Sequence, residues 1–84
     1  MKIHLIAPDS KMVKQEVTLI MSMCEFENIH VTKIDQTQKE LFNYYYKGGR
    51  PVIVIDYDCY NEPKVVYGYW AFTSYILLNG LIQC

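Results

Sequence analysis

Residues 48–56, Gly-Gly-Arg-Pro-Val-Ile-Val-Ile-Asp, constrain the fold more than any other stretch of the chain. The glycine pair loosens the backbone. Pro51 then opens an unbroken β-branched run that Asp56 closes. Consecutive apolar residues fall on both faces of the pleat, so Val52 to Ile55 are predicted as a strand buried on both sides. Proline is tolerated at the start of a strand because its missing N–H breaks no interior ladder bond there.

The chain has 84 residues, enough for one small domain over 1–84 and no second one. Hydrophobic residues make up 51% and charged residues 20%, which is a folded composition and not a disordered one. The net charge of -1 gives no electrostatic reason to expect nucleic acid or acidic lipid as a general partner. No apolar run approaches the length needed to cross a bilayer, so no membrane is expected either. The opening Met1–Pro8 lacks a signal-type apolar stretch and reads as a first strand. Three widely spaced cysteines, Cys24, Cys59 and Cys84, are an odd number. That count suits a reducing cytoplasm better than a secreted disulfide framework.

The remaining elements follow from periodicity and breakers. Ile3 to Ala7 form the first strand, stopped by Pro8-Asp9. Asp9 or Ser10 is expected to cap a helix of about four turns by accepting free backbone N–H groups. Val13, Val17, Ile20 and Cys24 form its apolar stripe, widened by Met12, Leu19, Met23 and Phe26. Asn28 ends it. Residues 29–35 alternate as a half-buried second strand. Thr37 and Glu40 match a capping box, which predicts a short helix through Leu41, Phe42 and Tyr45 that stops at Gly48-Gly49. Lys64 to Tyr67 form a strand paired with the third one as a hairpin. Gly68 breaks that strand, and a helix is expected from Ala71, with Phe72, Tyr75 and Ile76 as its apolar stripe, Leu78 beside them and a stop at Asn79-Gly80. The order is β-α-β-α-β-β-α. It gives an α/β fold, a small mixed four-stranded sheet flanked by three helices, whose first two strands are parallel through a right-handed crossover.

That order, with a proline opening the third strand, resembles the thioredoxin fold. It is closest to glutaredoxins and the glutaredoxin-like electron donors of ribonucleotide reductase. Pro8-Asp9-Ser10 resembles the Pro-x-Cys that opens the family's Cys-x-x-Cys motif. Arg50-Pro51-Val52 resembles the segment that carries its cis-proline. Tyr67-Gly68-Tyr69 matches the glycine between its last strand and last helix. The dithiol positions fall on Ser10 and Val13, in Ser10-Lys11-Met12-Val13, and neither is cysteine. Thiol–disulfide exchange needs a thiolate, and a serine hydroxyl cannot supply one. The resemblance therefore implies the scaffold and a groove without the usual reaction. It points to a redox-inactive module that docks a protein or peptide at the cis-proline edge. The binding residues would be Pro8, Asp9, Ser10, Val13, Arg50, Pro51, Gly68, Tyr69 and Trp70, with Tyr69 and Trp70 as side walls. Glutathione is a further ligand that the resemblance implies.

Other chemistry is thinly supported. Activating Ser10 as a nucleophile needs a base in reach, and His4 and His30 fall on predicted strands. Cys24 sits on the apolar stripe and reads as core. Cys59 is expected in an exposed hairpin turn, and a link from it to Cys84 stays open. No close pair of ligands suggests a metal, and no cofactor motif is present. An alternative is a thiol–disulfide oxidoreductase or glutathione-dependent enzyme that uses a non-standard cysteine. Tyr44-Tyr45-Tyr46 and Tyr69-Trp70 offer aromatic surface to a partner or to a second copy of the chain.

Overall fold

The computed structural model describes residues 1–80. Its elements run β1 (Lys2–Ile6), α1 (Lys11–Phe26), β2 (Val31–Ile34), α2 (Lys39–Tyr45), β3 (Val52–Asp56), β4 (Lys64–Tyr67) and α3 (Gly68–Asn79). The α/β class and the element order match the sequence reading. The four strands form one mixed sheet in the order β2-β1-β3-β4. β1 runs parallel to β2, with Ile3 opposite Val31, and antiparallel to β3, with His4 opposite Val54. β3 and β4 form the expected hairpin, with Ile53 opposite Val66.

The β-branched run occupies the centre of the sheet, and its side chains alternate between two cores. Ile53 and Ile55 join Ile3, Leu5, Ile20, Cys24 and Phe72 under α1 and α3. Val52 and Val54 join Ile6 and Ile34 on the opposite face, where Phe42, Tyr45 and Tyr46 pack against them. Every residue from Pro51 to Ile55 is buried, as a strand covered on both faces requires. Pro51 itself lies just before β3 and takes no place in the ladder.

Several local expectations change. Ser10 holds the extended backbone of an N-cap, but its side chain makes no capping hydrogen bond. The capping box does not form: the N-cap of α2 is Gln38. Thr37 instead turns back, and its N–H and hydroxyl both donate to Asp35 Oδ1. A short Asx-type turn competes locally with helix capping, and here it wins. α1 ends at Phe26 with Glu27 as its C-cap, and Asn28, with a φ of 58°, supplies the left-handed stop. α3 begins at Gly68 and not at Ala71, because Glu16 of α1 caps its first turn from outside. Leu78, expected beside the α3 stripe, is exposed, as are Met12, Leu19 and Phe26 on α1. A helix on one face of a sheet can bury only one stripe, and Val13, Ile20 and Cys24 take it on α1.

No helix among the described residues is long and apolar enough to cross a membrane.

Candidate functional site

The site starts from Gly68. Its φ is +85°, a conformation that L side chains rarely adopt. Its N–H donates to the Pro51 carbonyl at 2.8 Å, which ties the start of α3 to the entrance of β3. The next N–H, of Tyr69, donates to Glu16 Oε2 at 2.7 Å. A Cβ on Gly68 would lie 2.8 Å from that oxygen and 3.1 Å from Arg50 Nη1. Glycine is therefore required both by the backbone turn and by the two side chains that close over it.

These contacts bring three elements to one surface groove of about 350 Å³. α1 supplies Met12, Gln15, Glu16 and Leu19, the loop before β3 supplies Arg50, and α3 supplies Tyr69 and Trp70. The rings of Tyr69 and Trp70 meet edge to face with centroids 5.6 Å apart. Arg50 and Trp70 are exposed, so the groove offers a guanidinium and an indole to whatever enters it. The four α1 residues follow i, i+3, i+4, i+7 spacing, one face of a helix.

Of the residues singled out in the sequence, Arg50, Pro51, Gly68, Tyr69 and Trp70 converge here. Pro8, Asp9 and Ser10 do not. They line a separate cavity of about 280 Å³ with Lys14, Lys33 and Asp35. The loop that holds them is pinned toward β2, the edge strand away from β4. The Ala7 N–H donates to the Ile34 carbonyl at 3.1 Å, and the Asp9 N–H to Gln36 Oε1 at 3.1 Å. Within that cavity the Thr37 hydroxyl and N–H hold the Asp35 carboxyl below the usual range. Val13 is buried and offers nothing to a ligand. The cis-proline does not hold either: the Arg50–Pro51 bond is trans, as is every peptide bond among the described residues. The trans form is favoured at X–Pro bonds by about 0.5–1 kcal/mol, and in it the Pro51 carbonyl still reaches Gly68.

The alternative chemistry can be placed as well. His4 lines a small apolar cavity under α2, and His30 lines another beside Cys24, so neither shares a cavity with Ser10. Cys24 is free and buried, and burial pushes its thiol up to about 11. Cys59 is exposed at the hairpin turn and is engaged in a disulfide. Cys84 lies outside the described residues. No group of three or more His, Cys, Asp or Glu among the described residues is arranged to hold a metal ion.

The α1 wall was legible in part. Met12 and Leu19 stand out as apolar, but the sequence reading sends them to the core. Counting how many stripes one helix can bury would have sent them outward.

No protein-family model, no curated protein and no solved structure matches the chain.

Proposed function

We propose that the chain is a non-catalytic binding module on a thioredoxin-like scaffold, and that its groove between α1 and α3 takes an apolar and acidic segment of a protein or peptide. The strand order β2-β1-β3-β4, the proline before β3 and the glycine between β4 and α3 support the scaffold. Ser10 and Val13 at the dithiol positions support the loss of redox chemistry. The observation that carries the binding role is the convergence of Arg50, Tyr69 and Trp70 with Met12 and Leu19 in one groove.

The lining selects the class of ligand. A guanidinium pairs best with a carboxylate, which it can hold through two parallel N–H bonds. Met12, Leu19 and the Trp70 indole form an apolar wall beside it, suited to an aromatic or aliphatic side chain. The ligand is therefore a segment with an apolar side chain next to an acidic one. Glu16 Oε2 accepts the Tyr69 N–H, which holds that carboxylate in place against the start of α3. Cys24 is a poor candidate for the cysteine of the oxidoreductase alternative, since it is buried and burial raises its thiol to about 11.

Trp70 is the chain's one tryptophan and serves as its own reporter. Titration with a Glu-Phe-Glu peptide should shift its emission, and Arg50→Glu should weaken the binding about tenfold or more. The reading fails if peptide up to about 1 mM leaves the Trp70 emission unchanged, or if Arg50→Glu binds as well as the wild type.

A further inference from the structure

α1 carries an exposed stripe that the groove only partly uses. Met12 is 95% exposed, Leu19 45% and Phe26 87%. They are spaced by seven residues, so they share one helix face and span about 21 Å with Leu19 midway. α3 continues the apolar surface with Trp70, 74% exposed, and Leu77 one heptad later.

The charges on α1 run against its own dipole. Its first turn has no acidic residue and its last turn no basic one. Lys11 and Lys14 stand at the positive end, and Glu25 and Glu27 at or just past the negative end. Within one chain that arrangement opposes the helix. It suits an antiparallel neighbour carrying the same sequence.

We infer that the segment received by this surface belongs to a second copy of the chain, with the two α1 helices packed antiparallel about a two-fold axis through Leu19. This rests on the groove reading above and names its partner. The stripe is symmetric about Leu19, so reversal places Met12 against Phe26 of the second copy and Leu19 against itself, as an isologous interface requires. On the flank away from α3, Lys11 meets Glu25 of the second copy. On the flank beside α3, the second copy's Phe26 and Glu27 come to the end of the helix that bears Trp70 and Arg50. They supply the apolar and acidic pair that the groove selects. Trp70 and Leu77 widen the contact beyond one helix, toward the roughly 800 Å² per partner of a stable interface.

Sedimentation velocity on the full chain tests this. The wild type should sediment as a dimer at chain concentrations up to about 1 mM. Lys11→Glu puts like charges across the flank at both ends of the two-fold seam and should raise the dissociation constant about tenfold or more. Adding Glu25→Lys should restore the dimer. That exchange of Lys11 and Glu25 keeps the wild-type net charge, and each substitution aligns α1 with its dipole, so unfolding does not explain a lost dimer. Phe26→Ser should give monomer. A wild type that stays monomeric, a Lys11→Glu variant as dimeric as the wild type, or a charge-exchanged variant that stays monomeric each overturns the inference. A monomer whose Trp70 still responds to Glu-Phe-Glu overturns the second copy alone and leaves the groove standing. A monomer whose Trp70 does not respond overturns both.

Discussion

Glu16 in the middle of α1 accepts the backbone N–H of Tyr69 at 2.7 Å across 53 residues of sequence. The first turn of α3 is thus capped by a side chain from another helix, and its own N-cap, Tyr67, makes no side-chain capping bond. Glu16→Ala should destabilise the fold by about 1–2 kcal/mol in urea unfolding, the usual range for a lost cap or a charge-assisted bond. Glu16→Gln keeps an acceptor and should lose less than half of that. Equal losses from the two variants would show that the bond contributes little.

Gly68 sits between that carboxylate and Arg50. Gly68→Ala adds a methyl group 2.8 Å from Glu16 Oε2 at a φ of +85°. It should reduce stability by about 1–3 kcal/mol through backbone strain. It should also weaken Glu-Phe-Glu binding, because both side chains must swing away to admit the methyl. Gly80, with φ +66° and open space around its Cβ position, is the control that carries the strain without the groove. Gly80→Ala should leave peptide binding unchanged in the same titration.

The hydroxyls of Tyr57 and Tyr75 lie 3.1 Å apart and bridge the end of β3 to α3. Tyr57 is buried, and burial first, then the Tyr75 hydroxyl, pushes its ionisation up. Tyr75→Phe leaves the Tyr57 hydroxyl without that partner and should destabilise by about 1–3 kcal/mol. The double change to phenylalanine removes both polar groups and should recover part of the loss. A thermal-unfolding double-mutant cycle measures the coupling. Strictly additive losses would show that the pair does not interact.

Cys24 makes the fold sensitive to alkali. Burial raises its thiol from 9.0 to about 11 in the folded chain, so between those values the unfolded state loses the proton first. The unfolded state then binds fewer protons than the native one, and stability falls as pH rises. The contribution is fully present below about pH 9 and is lost progressively as pH climbs toward 11. Cys24→Val should flatten that part of the stability curve. Iodoacetamide at neutral pH should leave Cys24 unmodified in the native chain and label it in urea, read by mass spectrometry. Rapid native labelling would contradict the burial.

The strands were legible because their evidence is local. Val52 to Ile55 can satisfy their apolar side chains only inside a layered sheet, and the breakers around them fix its limits. The groove was legible on one side only. Arg50, Gly68, Tyr69 and Trp70 are marked by a proline and a glycine at element boundaries. Glu16 is an ordinary exposed-looking helix residue in sequence, and its bond to Tyr69 depends on how α1 and α3 pack. The same dependence moved the start of α3 from Ala71 back to Gly68. Pro8 to Ser10 failed for another reason. The bonds from Ala7 to Ile34 and from Asp9 to Gln36 draw the loop toward β2, and no local pattern reports a contact across that distance.

The sheet order also determines when structure can form. β1 lies between β2, which follows within thirty or so residues, and β3, which begins fifty residues later. A nascent chain that has emerged only through α2 holds β1, α1 and β2, yet Leu5 and Ile6 still lack the strand that completes their cores. Pairing so distant in sequence slows closure, because loop entropy is lost before the contacts form. Synthesis therefore runs well past the midpoint before the domain can fold, and until then the β3-facing edge of β1 stays open to any other extended chain.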